Sequence, residues 1–323
     1  MKKIFNVFLC LIIGFFIVSC ATQQPGDTRL EDIARYRTGM AYGLEIKDGY
    51  AYITTNSDLV IIDIVNPKRP RRVGRLKIGT PSFDLEVADQ KAYLAATDKG
   101  LLIVDVSNPV NPTIIGQFHD DGEVRRVGIM DRYCLTSDFE NGLNILDISD
   151  VSKPVKIGNL KYDRIRNFIA INNLVFLVDI GKGLRVVDIS DKTNPVEVTL
   201  VDETEGAASV EIDGSRLFLG FFDGLIKIFD ITDPKSPHLL TTAKCPGEVL
   251  GMVAADNYLF INYKGVLIKD ISNLDEIVDV GRYSRTKGAH GMVYRDGYVY
   301  YVKYGLTIFK IIKSLSEHNR EIK

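Results

Sequence analysis

The chain has 323 residues, 46% of them hydrophobic, and 40 Lys and Arg against 42 Asp and Glu leave a formal net charge of -2. The basic residues are scattered, so no cationic face is set aside for nucleic acid and no acidic tail for a cationic partner. Trp is absent, while Tyr and Phe, 15 each, recur at fixed positions, which points to repeated packing slots.

Residues 1–19 read as an address. Lys2 and Lys3 precede an apolar run from Ile4 to Val18, interrupted by Asn6 and Gly14. It is shorter than the roughly 20 residues a membrane span needs, so a signal peptide is expected. The run ends in Ile17-Val18-Ser19-Cys20, which resembles the bacterial lipobox. That resemblance implies cleavage before Cys20 and a lipid on its thiol. At about 0.8 kcal/mol per buried methylene, two or three acyl chains make a lasting membrane anchor. Residues 20–29 are polar and read as a flexible tether. Ala21 is not the aspartate of inner-membrane retention, so in a Gram-negative cell the expected place is the outer membrane.

From residue 30 onward a unit of about 41 residues repeats, marked by an apolar run ending in aspartate: Asp63, Asp105, Asp147, Asp188, Asp230 and Asp270, with Lys310 in the seventh copy. Successive marks are 42, 42, 41, 42, 40 and 40 residues apart, so each copy is one structural unit. Gly100, Gly142, Gly183, Gly265 and Gly305 precede the run, where a turn demands positive φ. Pro70, Pro112, Pro154, Pro195 and Pro237 each follow their aspartate by seven.

Short β-branched and aromatic runs separated by turn residues predict four strands per unit, a propeller blade. In the first unit these are strand A (42–46), B (50–54), C (59–64) and D (71–77). A strand B column of Tyr52, Tyr93, Cys134, Phe176, Phe218, Phe260 and Tyr300 should pack against the neighbouring blade. Cys134 and Cys245 fall two blades apart and are expected to be packing residues, not a disulfide. The seventh unit stops after its third strand, at Ile312, and Ile33-Ala34-Arg35-Tyr36 matches the strand D sequence Val280-Gly281-Arg282-Tyr283. The N-terminal strand is therefore expected to complete the last blade. The fold class is all-β: a seven-bladed β-propeller over residues 30–312, followed by a polar tail, 313–323.

Leu101-Leu102-Ile103-Val104-Asp105, followed by Val106-Ser107-Asn108-Pro109, resembles the motif of the LVIVD-repeat proteins, a family similar to other bacterial surface or periplasmic propellers. The resemblance implies the fold and little about activity. The residues themselves give the repeated aspartate a structural role, its carboxylate capping N–H groups of the C to D turn. Six identical acids at six separate turns cannot converge on one site.

Function is therefore sought in residues that differ between blades. Near the start of strand A one column reads Tyr42, Phe83, Arg125, Arg166, Ala208, Leu250, His290; the next reads Gly43, Asp84, Arg126, Asn167, Ser209, Gly251, Gly291. Alternation lets only one column face the channel at a given height, and the first is expected to do so. Arg125 and Arg166 would hold a carboxylate, sulfate or phosphate, with His290 and Tyr42 adding a polar aromatic edge. On the same face Phe221, Phe222, Tyr263 and Tyr304 would offer exposed rings to a partner. Asp84 and Glu86 stand alone as acids on strand A. No zinc, serine-hydrolase, sialidase, quinoprotein or WD40 signature is present, so no metal and no cofactor is implied. The expected function is a non-catalytic, monomeric module binding an envelope protein or surface glycan. The alternative is a polymer-acting hydrolase or lyase at the channel mouth.

Overall fold

A four-stranded antiparallel sheet has two faces to bury, and a ring of such sheets buries each face against the next. The computed structural model describes residues 29–312 apart from 121, 139 and 284–289. The expected signal peptide, Cys20, most of the tether and the tail lie outside the described residues. Seven sheets of four strands follow one another. In blade 1 strand A is Ala41–Lys47, B Tyr50–Thr55, C Asp58–Asp63 and D Arg71–Lys77, each within one residue of the sequence reading. The core is not central but divided into seven clusters, each shared by two adjacent blades. Every member of the strand B aromatic column, Cys134 included, is buried there. Cys134 and Cys245 are both free thiols.

The last sheet is ordered Arg29–Arg37, Gly305–Ile312, Tyr298–Val302, Gly291–Arg295, so the N-terminal strand supplies strand D of blade 7. Its register runs from Arg29 opposite Ile312 to Arg37 opposite Gly305. Tyr283, from strand D of blade 6, latches the seam: its hydroxyl donates to Asp32 at 2.9 Å, and Arg35 donates to the same hydroxyl.

The repeated aspartates do what their position dictates. Oδ1 of Asp63, Asp105, Asp147, Asp188, Asp230 and Asp270 accepts the N–H two residues on, at 2.8 to 3.1 Å. A second acid or amide three residues later repeats the device, with Asn66, Asn108, Asp150, Asp191, Asp233 and Asn273 each accepting from their own i+2 N–H. This second cap is a repeat feature the sequence reading passed over.

Strand D carries another. In each of blades 1 to 6 the C–D ladder slips by one residue at the same point, leaving Val73, Ile115, Ile157, Val198, Leu240 and Val280 in the bulge, and Ile33 falls in the same place on the closing strand. A bulge on the outermost strand twists the edge away from would-be pairing partners. The next residue explains three glycines. A Cβ on Gly74, Gly116 or Gly158 would stand 2.0, 1.8 or 2.0 Å from the Pro109, Val151 or Lys192 carbonyl of the following blade. In blade 4 this place is Thr199, whose hydroxyl donates to the Lys235 carbonyl at 2.6 Å. Gly116→Ala is accordingly expected to destabilise the protein by about 2 kcal/mol or more, because backbone must move. Gly251→Ala, with nothing within 4 Å of the added carbon, is the control. Denaturant unfolding of both variants checks this, and equal midpoints would refute the packing argument.

Candidate functional site

Strand A is the innermost strand of each blade, and its first residues ring one mouth of the channel. A cavity of about 300 Å³ there is lined by Tyr42, Phe83, Arg125, Arg126, Arg166, Leu250, Asn262 and His290. Below it a space of about 400 Å³ continues past Gly43, Glu45, Asp84, Asn167, Glu211 and Gly291. Both columns thus line the channel, which corrects the expectation that only one would. Strict alternation fails because strand A begins with a register slip, between Ala41 and Leu44, Ile165 and Asn167, and Ala207 and Ser209. In blades 2 and 3 Phe83 and Arg125 precede the strand altogether.

Five of the expected residues meet at the mouth. Tyr42 stacks on His290, ring centroids 5.0 Å apart and planes 9° from parallel, and meets Phe83 edge to face, also at 5.0 Å. The Arg125 guanidinium lies 5.0 Å from the Phe83 ring centre, so His290, Tyr42, Phe83 and Arg125 form a continuous wall across blades 7, 1, 2 and 3. Tyr42 donates to Asn56 Oδ1 at 2.6 Å. His290 Nδ1 is 2.9 Å from the Ala41 carbonyl and must donate to it, leaving Nε2 as an acceptor in the neutral ring. Burial, with some help from Lys303, lowers the His290 pKa from its ordinary value, so the ring is neutral at pH 7.

The arginines differ. Arg125 pairs with Glu123 at 2.6 Å, and Arg126 lies 3.8 Å from Asp84. Arg166 donates through Nε to the Ala208 carbonyl at 2.9 Å, rests 5.2 Å from the Phe222 ring centre, and pairs with no carboxylate of the described residues. Burial lowers its pKa and repulsion from Arg126 adds to this, while the charge of Glu248 acts against both. Ala208 is buried and does not reach the cavity.

The other expected rings are not gathered at the mouth. Phe221 is a core residue, whereas Phe222 is exposed and touches the site only through Arg166. Tyr263 packs over Gly247 and Arg282, and Tyr304 stands exposed beside Lys303. Neither lines the mouth or the channel below it.

Asp84 and Glu86 are not alone, as the sequence reading had them. Burial raises the Glu45 pKa to about 7, with the charge of Glu86 adding to it, and burial raises Glu86 to about 7 and Glu211 to about 8. These acids satisfy the unpaired inner edge of the next blade. Asp84 accepts from Val127 N–H at 3.2 Å, Glu86 from Ile129 N–H at 2.8 Å, and Glu211 from the Ala254 N–H. Their signal was present in the sequence as an acid at the fourth place of strand A in blades 1, 2 and 5. Among the described residues no group of three His, Cys, Asp or Glu is placed to hold a metal ion.

Two solved structures share the architecture. The computationally designed Ika8 protein is 12% identical, with a TM-score of 0.63 over 87% of this chain and 98% of that one. Sqt1 of Saccharomyces cerevisiae is 9% identical, with a TM-score of 0.65 over 90% of this chain and 100% of that one. At such identities they speak for the fold alone. No curated protein sequence matches significantly. The LVIVD repeat profile matches residues 38–77, 82–120, 121–161, 169–203 and 246–284, more than half of the chain. It passes over blades 5 and 7, whose sheets are nonetheless complete. Repeat motif, capped turns and sevenfold ring agree: the chain belongs to the LVIVD-repeat family.

Proposed function

We propose that this protein is a non-catalytic binding propeller, held on a membrane of the bacterial envelope by lipid on Cys20, and that its channel mouth holds an envelope protein or a surface glycan. The observation that carries the reading is Arg166, a half-buried cation fixed by the Ala208 carbonyl and Phe222 with no carboxylate of the described residues in contact with it. Such a group is most stable with an anion from outside the chain. The aromatic wall beside it supplies the apolar contact that affinity requires. Capture of partners from solubilised envelopes by wild type, and its loss with Arg125→Ala plus Arg166→Ala at unchanged Tm, is the expected result. Undiminished capture by the double variant would remove the mouth from consideration.

A polymer-acting hydrolase or lyase is the second reading, favoured by Glu45 and Glu86, which hold protons near pH 7 beneath the mouth as a general acid would. Glu86 is nevertheless committed to the Ile129 N–H, and Glu211 to the equivalent N–H three blades on, which is the behaviour of a structural acceptor. Turnover of an envelope polymer that vanishes in His290→Ala would overturn the binding reading.

A further inference from the structure

The mouth divides into sectors that ask for different chemistry. Blades 7, 1 and 2 bring the rings of His290, Tyr42 and Phe83; blades 3 and 4 bring Arg125, Arg126 and Arg166; blade 6 brings Leu250 and Asn262. Charge can be counted sector by sector. Arg125 pairs with Glu123 and Arg126 lies near Asp84, while Arg166 makes no contact ion pair among the described residues, Glu248 attracting it from beyond contact distance, and His290 is neutral. Arg166 is thus the arginine of the mouth with no carboxylate of the described residues in contact. A carboxylate brings a single negative charge to that contact, whereas a phosphate monoester brings nearly two at pH 7 and is the more strongly opposed by Glu248. The Arg166 Nε is spent on Ala208, so the two terminal nitrogens remain to grip a carboxylate in parallel.

The body attached to that carboxylate must suit the ring sector and Leu250. The faces of aromatic rings carry negative charge and attract polarised C–H bonds, which a pyranose ring presents on its flat side while its hydroxyls stay in water at the rim. An extended peptide would instead bring an N–H and a C=O per residue into a wall of rings that leaves them unsatisfied. A cavity of about 300 Å³ above a channel space of about 400 Å³ has room for one or two sugar residues.

We propose that the mouth is a receptor for a uronic acid residue of an acidic polysaccharide, with the sugar carboxylate on Arg166 and the pyranose ring against Tyr42, Phe83 and His290. This rests on the binding reading of the same mouth and narrows its ligand to one class. The test is calorimetric titration of the mature chain with three probes: trigalacturonate, its methyl ester, and an acetylated tripeptide with a free carboxyl terminus. Trigalacturonate should bind, and esterification or Arg166→Gln should weaken it roughly tenfold or more, with partial recovery in Arg166→Lys. The ester comparison needs no variant, so a misfolded mutant cannot mask the answer. Equal binding of acid and ester, or equal binding by wild type and Arg166→Gln, would overturn the proposal. Binding of the peptide but not the uronide would also overturn it, while leaving a protein-binding mouth intact. Silence from all three probes overturns the uronate proposal alone, since partner capture judges the broader reading independently.

Discussion

A chain beginning at Thr38, without the N-terminal strand, is expected to lose cooperative unfolding or at least about 5 kcal/mol of stability, an amount comparable to the whole stability of many domains. Deleting Arg29–Arg37 strips every pairing partner from the outer edge of Gly305–Ile312. It also removes Ile33, Ala34 and Tyr36 from the cluster that joins blades 7 and 1, and Asp32 and Arg35 from the Tyr283 latch. The exposed edge would present Leu306 and Ile308 for intermolecular pairing, so the truncated chain should elute as oligomers. Removing only residues 20–28 should leave Tm unchanged. A synthetic peptide of residues 29–37 should raise the Tm of the truncated protein in proportion to its occupancy. A truncated chain that melts like wild type would mean that the ring does not depend on its seam.

The second large effect concerns pH. Glu45, Glu86 and Glu211 have folded pKa values near 7, 7 and 8, above the ordinary carboxylate value because burial disfavours their charge. Between the unfolded pKa and these values the native state binds more protons than the unfolded one, so stability falls as pH rises through that window. It is fully present below about pH 4.5 and lost by about pH 8. The capping aspartates run the other way. Asp63, Asp105, Asp147, Asp188 and Asp230 have lowered pKa values from hydrogen bonds to their carboxylates, so their contribution is lost in acid. The two sets predict a stability maximum near pH 5. Since each pKa unit corresponds to about 1.4 kcal/mol, and partial solvent contact reduces the yield, the fall from pH 5 to pH 8 should total about 2–4 kcal/mol. That is a drop of roughly 5 °C or more in Tm. Glu45→Gln with Glu86→Gln and Glu211→Gln should flatten the alkaline limb, because a glutamine oxygen still accepts the Ile129 and Ala254 N–H groups. Thermal melts from pH 4 to pH 9 decide it, and a triple variant with an unchanged alkaline limb would dismiss these acids as its origin.

Repeats made most of the fold readable. An aspartate that recurs every 40 to 42 residues, with a glycine before it and a proline after it, fixes strand boundaries in every copy at once. The match of Ile33-Ala34 to Val280-Gly281 identifies the closing strand from the sequence alone. Features within that period which lacked a special residue type were missed. The strand D bulge falls on ordinary Val, Ile and Leu residues, and only the slip in pairing reveals it.

At the channel the sequence determined less. It supplied Tyr42, Phe83, Arg125, Arg166 and His290 as exceptions to the repeat, because a residue that differs between blades is not needed by every blade. It could not tell that both columns reach the cavity, since that depends on slips in strand A pairing. Nor could it tell that Arg166 makes no carboxylate contact among the described residues while Arg126 meets Asp84 of the preceding blade, because both depend on which blades come together. The sequence by itself determined the ring, its count of blades and its seam, since these follow from local patterns repeated along the chain. Only the tertiary structure decided which side chains share the channel and which charges cancel there, because both are set by distances between blades that no local pattern encodes.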